Sequence, residues 1–351
     1  MPRTRIGVIG CGVIADLTVW GYREDERVEI RAVCDSDAKK AEAKAREWGA
    51  SKVYNDYREL LADKEIDAVE IITPHDLHRP MAVEAAKTGK HISVQKPMAR
   101  NVSECREMIA AANGAGVLLR VNDPYVFYPP IVKAKELIDS GEIGDPSMIR
   151  VRTTVGSMEC GWEVDPGAWE WRFDQKRSGG GNMLDDMHHK FAVALFLGGE
   201  VEKVSAFIEN RDYFLDAPAT VMWKYKADQR YGVMECVHAS EMYIKTKYYN
   251  CEERFEITGS RGIIWITRCT GQLMDIPPLI LYRDGETRGY NDIPAGWEEG
   301  FKQSNKHFID CLLEGAKPHL TGEEAIGVMQ FALSTYASDD AQAPVKPDSI
   351  S

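Results

Sequence analysis

No apolar run in this 351-residue chain approaches the ~20 residues that cross a bilayer, so the sequence predicts no membrane span. Positive charge is scarce: 43 Lys and Arg stand against 55 Asp and Glu, a formal net charge of −12. That balance argues against nucleic acid or an anionic membrane surface as a partner. Cysteine is thin and unorganised. The eight residues at 11, 34, 105, 160, 236, 251, 269 and 311 include no C-x-x-C pair, which leaves neither a disulfide framework nor a zinc knuckle. They read as reduced, mostly packed thiols of a cytoplasmic protein. Cys236-Val237-His238 has no second cluster to complete a metal site, so no metal is expected. Repeats, low-complexity tracts and linkers are missing too. The first residues enter a strand at once, and no signal peptide is expected. What remains is 44% hydrophobic and 28% charged, a globular composition. At this length two domains with separate cores are expected.

The richest stretch begins at residue 6. The apolar run Ile6-Gly7-Val8-Ile9 leads into Gly10-Cys11-Gly12-Val13-Ile14-Ala15, and a second apolar run ends at Asp35. Strand, glycine turn, helix, strand and acidic residue make the layout of a dinucleotide site. Gly10 permits the tight turn, Gly12 lets the backbone approach a pyrophosphate, and small Ala15 lets the helix pack on the strand. Val13 and Ile14 complete the turn, and the helix N-terminus after it suits the pyrophosphate charge. A carboxylate at Asp35 accepts hydrogen bonds from both ribose hydroxyls of NAD and repels the 2′-phosphate of NADP. Ser36 and Asp37 follow with no Arg beside Asp35. NAD is therefore favoured over NADP, with Lys39, Lys40 and Arg46 as the nearby charges able to alter that.

Residues 1–121 alternate strand and helix, with helices at 38–48, 80–88 and 102–113, the last capped by Asn101, and strands at 68–72, 91–94 and 116–121. Such βα units imply a doubly wound parallel sheet, a Rossmann domain. After residue 122 a helix at 130–139 gives way to strands at 148–155, 201–208, 221–226, 230–238, 254–259, 262–267 and 279–282. Only a helix at 180–196 interrupts them, so a large, open, mainly antiparallel sheet is expected. Helices at 300–313 and 323–336 close this part, and they are free to return to the first domain. The fold class is thus α/β: a Rossmann domain over 1–121, an α+β domain for substrate binding and oligomerisation over 122–339, and a polar tail over 340–351.

Three segments carry candidate chemistry. Gln95-Lys96-Pro97 follows a strand of the parallel sheet, where ligands of such sheets bind. Lys96 there suits stabilisation of an alkoxide or passage of a proton; the alternative is a surface lysine at a loop start. Asp185 and His189, four apart after Gly179-Gly180-Gly181, share a face if helical. The pair suits a general base with its orienting carboxylate, and metal binding or a structural ion pair are its alternatives. The loop 161–172 holds three of the eight tryptophans among acidic residues. Trp162 suits the C–H face of a sugar or simple packing onto the sheet. Asn122, Tyr125 and Tyr128 begin the second domain and are expected in the same cleft. His75 is placed to approach a nicotinamide, whereas His78 reads as a helix-start or packing residue.

Taken in order, the N-terminal fingerprint, Thr73-Pro74 to His78, Gln95-Lys96-Pro97, Tyr128-Pro129, Trp171-Arg172, the Gly179-to-His189 segment and Pro318-His319-Leu320-Thr321-Gly322-Glu323-Glu324-Ala325 resemble the glucose–fructose oxidoreductase/inositol dehydrogenase (Gfo/Idh/MocA) family. The resemblance implies bound NAD(P), hydride transfer at a secondary hydroxyl carbon of a sugar, glycoside or cyclitol, and homodimers or homotetramers through the C-terminal sheet. It implies Lys96, Asp185 and His189 as catalytic residues. Thr73, Pro74, His75, His78, Gln95, Asn122, Trp171 and Arg172 join the cofactor side, and Tyr128 and Trp162 join the substrate side. Two positions depart from the pattern. Gln95 replaces a glutamate, which removes a charge that holds Lys96 protonated, and Met187 replaces a small residue. The same residues would also serve a hydrolase or lyase that recycles bound NAD by oxidation, elimination and reduction. A non-catalytic NAD sensor is a further alternative, against which the retained Lys96, Asp185 and His189 argue.

Overall fold

The computed structural model describes residues 3–351. By its contacts the chain divides into two compact units. One holds the chain up to Pro124 together with Pro166–Gly179 and Phe301–Met329; the other holds Tyr125–Asp165, Gly180–Gly300 and Gln330–Ser351. The division expected from the sequence, at 121, assigns Pro166–Gly179 and Phe301–Met329 differently.

In the first unit, strands β1 (Thr4–Ile9), β2 (Val28–Cys34), β3 (Lys52–Tyr54), β4 (Ala68–Ile71), β5 (His91–Gln95) and β6 (Leu119–Asn122) form one sheet in the order β3-β2-β1-β4-β5-β6. Every pair is parallel. Helices cover both faces of such a sheet, so consecutive strand residues such as Ala68, Val69, Glu70 and Ile71, or Ile92, Ser93 and Val94, are fully buried. The register sets Ile9 opposite Cys34 and Ile71, and Gln95 opposite Asn122. The residues after these strand ends therefore line up along one edge, with the strand order reversing between β1 and β4.

Two helices depart from expectation. The helix predicted at 80–88 runs over His75–Lys87 with Pro80 inside it. Proline favours a helix start, but here Leu77 N–H already bonds to Pro74 O and opens the helix earlier. The helix after the glycine turn is broken into Ala15–Thr18 and Trp20–Glu24. The Thr18 hydroxyl donates back to Ile14 O at 2.9 Å, a bond that bends helices.

The second unit is built on β7 (Pro146–Val155), β8 (Val201–Ile208), β9 (Ala219–Tyr225), β10 (Tyr231–His238), β12 (Cys251–Gly259), β13 (Gly262–Ile266), β15 (Leu279–Arg283) and β16 (Glu286–Tyr290), with β11 (Lys245–Thr246) and β14 (Gly271–Gln272) as a separate small pair. The large sheet runs β16-β15-β13-β12-β7-β10-β9-β8. It is mixed rather than wholly antiparallel, because β7 and β10 pair in parallel. Along β9, buried Ala219, Val221, Trp223 and Tyr225 alternate with outward residues, so only one face is covered.

The helix expected over 180–196 begins only at Met187 and runs to Gly198. The preceding amides are spent elsewhere: Gly181 N–H donates to the Tyr336 hydroxyl, Asn182 N–H to Phe214 O and Met183 N–H to Asp216 Oδ2, each at 2.8 Å. The expected polar tail is not loose. The last helix extends over Gly322–Ala341, and Val345 exchanges two 2.8 Å backbone bonds with Val204 of the edge strand β8, covering a row of otherwise open polar groups. No helix among the described residues is long and apolar enough to cross a membrane.

Candidate active site

The glycine turn sits at the end of β1. Gly10 has φ +105° and a Cβ there would stand 2.1 Å from Ile72 O, so only glycine fits. A Cβ at Gly12 would meet nothing within 4 Å, which is the open approach that a pyrophosphate needs. Ala15 is fully buried under the turn, Ile14 half-buried, and Val13 and Ser36 exposed. Asp35 is fixed at the end of β2: its Oδ2 accepts from Cys11 N–H at 2.8 Å and its Oδ1 from Asp37 N–H at 2.9 Å. Each carboxylate oxygen has a second lone pair for a ribose hydroxyl. The turn and the acid therefore fit a dinucleotide.

Further along this edge, Thr73 and Pro74 are half-buried after β4, and His75 opens the next helix. His75 Nδ1 lies 2.8 Å from Ser178 O, and its ring meets Trp171 edge-on at 4.6 Å. The Arg172 guanidinium lies 4.4 Å from the rings of both Trp169 and Trp171. Segment Pro166–Gly179 thus brings Trp171 to His75, with Arg172 over the Trp171 ring. Gln95 donates to the Thr18 hydroxyl at 3.3 Å and accepts from Lys96 N–H at 2.9 Å. Lys96 is half-buried and precedes a cis bond to Pro97.

Two residues of the expected cofactor side are fully buried. His78 is fully buried, its nitrogens 3.0 Å from Pro97 O and 2.8 Å from Thr73 O. It ties together the loops after β4 and β5, and burial holds its pKa below the ordinary value. Asn122 is also fully buried. Its amide donates to Glu70 and accepts from the Ser304 hydroxyl, inside a network with Tyr22 and Arg120. Both side chains are consumed by the protein itself.

In the second unit Asp185 and His189 are 6% and 5% exposed. They do not share a helix: Asp185 belongs to the turn before Met187, where its N–H bonds to Gly181 O at 3.1 Å. The His189 ring stacks on Tyr125 with centroids 4.2 Å apart and planes 17° apart. Beneath this stack, Tyr125 donates to Glu253 Oε1 at 2.5 Å. Lys190 Nζ lies 2.8 Å from the same oxygen and 2.7 Å from Asp186 Oδ2, while Thr270 donates twice to Glu253 Oε2. Burial pulls the Lys190 pKa down, but the charges of Asp186 and Glu253 outweigh it and leave the ammonium firmly protonated. Burial, then the Glu253 charge, keeps the Tyr125 phenol protonated. Sequence reasoning passed over Lys190 and Glu253. A lone lysine inside the apolar helix Met187–Gly198 is the signal that marks them.

Tyr128, expected at the substrate, is 2% exposed, and its hydroxyl donates to Ala295 O at 2.8 Å. Trp162 is half-buried among Tyr248, Tyr249 and Trp297 at 5.1, 5.5 and 6.3 Å, and Trp297 lies 6.5 Å from Tyr125. This aromatic cluster is continuous with the stack on His189.

Residues 4–123 match the family model described as an oxidoreductase family with an NAD-binding Rossmann fold, and residues 131–265 match the GFO/IDH/MocA C-terminal domain. The chain belongs to the GFO/IDH/MocA oxidoreductase family. It is an NAD-dependent oxidoreductase. The D-apiose dehydrogenase of Paraburkholderia graminis is 26% identical, covering 96% of this chain and 88% of that protein. The scyllo-inositol 2-dehydrogenase (NAD(+)) of Bacillus subtilis is 29% identical over 91% and 89%. A crystal structure of an Agrobacterium radiobacter oxidoreductase in complex with NAD+, L-tartaric acid and magnesium shares the fold, with TM-score 0.85 at 20% identity over 99% of both chains.

Proposed function

We propose that this enzyme oxidises a secondary hydroxyl carbon of a sugar, glycoside or cyclitol, with Lys96, Asp185 and His189 as its catalytic residues. The observation that carries this reading is the nearly buried pair of Asp185, just before an apolar helix, and His189, in its first turn, in the C-terminal unit of an NAD-dependent family. Bound NAD supplies the hydride acceptor. The imidazole of His189 takes the hydroxyl proton as general base. Asp185 orients the imidazole or the substrate. The Lys96 ammonium offsets negative charge growing on the substrate oxygen. Gly12 leaves room for the pyrophosphate, Asp35 receives the ribose hydroxyls and disfavours NADP, and His75, Trp171 and Arg172 flank the cofactor. Trp162 offers an aromatic face to the sugar's C–H groups.

The named relatives act on a branched sugar and a cyclitol, which supports this substrate class. They lend no support to a cofactor-recycling hydrolase or a sensor. The eight buried, unbridged cysteines fit a reducing, cytoplasmic setting. The open face of the large sheet, with Phe207, Met222 and Tyr231 exposed, fits a homodimer or homotetramer joined there.

The test is substitution of each catalytic residue. Lys96→Met and His189→Gln are expected to bind NAD as the parent does and to lose turnover by at least about a hundredfold, the scale of a lost general acid–base or charge-stabilising group. Parent-like turnover in either variant removes that residue from the mechanism.

A further inference from the structure

A base must keep its accepting nitrogen aimed at the proton, and an imidazole free to turn about its side-chain torsion loses that aim. The His189 ring lies nearly parallel to the Tyr125 ring at 4.2 Å. Any tilt drives its edge into the neighbouring ring, so a fixed Tyr125 fixes the imidazole plane. Tyr125 is itself held. It is 2% exposed, its hydroxyl donates to Glu253 Oε1, and Glu253 is pinned at its other oxygen by Thr270. Lys190, adjacent to His189 in the chain, reaches the same Glu253 oxygen and also Asp186 Oδ2. One network therefore grips both the stacked ring and the turn of helix that carries His189. Packing alone does not call for it. Lys190 and Glu253 are fully buried, and there hydrophobic side chains of like volume avoid the desolvation cost of charges.

We infer that Tyr125 is a positioning residue for His189, held in place by the Glu253–Lys190–Asp186 chain. The inference rests on His189 as the base. Tyr125→Leu removes the stacked ring, Tyr125→Phe keeps the ring without its anchor, and Glu253→Gln loosens the anchor with both rings in place. Steady-state kinetics on the substrate identified by NADH release give kcat, KM and NAD affinity. NMR gives the ring-proton shifts of His189. Tyr125→Leu is expected to lower kcat about a hundredfold, the scale of a roughly 1 Å misplacement, with KM and NAD affinity unchanged. Tyr125→Phe recovers most of that loss. The His189 ring protons lose their upfield ring-current shift in Tyr125→Leu and keep it in Tyr125→Phe. Glu253→Gln lowers kcat by a smaller factor and adds less in the Tyr125→Phe background than alone, because the two share the Tyr125 anchor.

Parent-like kcat in Tyr125→Leu overturns the inference. So does a loss that Tyr125→Phe does not relieve, or additive effects of Tyr125→Phe and Glu253→Gln. If His189→Gln retains turnover, the assignment of the base fails and this inference with it. If His189→Gln is inactive while Tyr125→Leu is active, only the positioning role fails.

Discussion

Gly10 and Gly12 stand two residues apart and answer to different constraints. Gly10 is demanded by the fold, since its φ of +105° and the 2.1 Å approach of Ile72 O leave no place for a Cβ. Nothing in the fold demands Gly12, since a Cβ there meets nothing in the protein; in the proposed function the ligand does. Gly10→Ala is therefore expected to destabilise the enzyme, by more than about 1 kcal/mol for the positive φ alone. Gly12→Ala is expected to stay within about 0.5 kcal/mol of the parent, as an uncontacted surface substitution does, and to bind NAD more weakly. Thermal melts and an NAD titration on both variants check this. Equal melting losses in the two would contradict it. Both glycines were legible in the sequence, because a turn between strand and helix leaves a local signature. The inward turn of the His78 and Asn122 side chains was less legible by the same reasoning. Their neighbours in the chain suit a cofactor site, but their side chains bond inward to Thr73, Pro97, Glu70 and Ser304, and only tertiary placement decides which way a polar group turns.

At the scale of elements, helix Glu298–Glu314 carries a titratable contact. His307 Nε2 accepts from His319 N–H at 3.0 Å and lies 3.5 Å from Cys311 Sγ. Burial, then the proximity of His319 and Arg120, lowers its pKa to about 4. The unfolded chain thus binds a proton between pH 6.5 and 4 that the folded chain refuses. The His307 contribution to stability is present above that window and is lost as pH falls through it. His307→Gln is expected to lose less stability than the parent between those pH values, read as denaturant midpoints at each pH. Identical slopes would contradict it. Strand legibility follows the same physics of burial. Strand 201–208 was read at its true bounds because apolar and polar residues alternate along it. β16, whose residues are mostly exposed, carries no such alternation and was missed. The helix start at Met187 was hidden because its cause lies in Phe214, Asp216 and Tyr336, remote in sequence. The buried pair Lys190 and Glu253 was missed for the same reason, as helix and strand meet only in the fold.

At the scale of the whole molecule, the uncovered face of the large sheet is the place we propose for self-association. Phe207 is 61% exposed and Met222 48% on neighbouring strands. The double variant Phe207→Asp, Met222→Lys is expected to shift the enzyme to a smaller assembly by light scattering, whereas an unchanged mass would move the interface elsewhere. The central claim concerns the chemistry. It is tested most directly by following the reduced-nicotinamide absorbance band while the enzyme and NAD meet separate inositols, aldoses and glycosides. The account predicts net NADH with one of these classes and far less with NADP in place of NAD. No NADH from any of them, with NAD binding verified in the same sample, would contradict it.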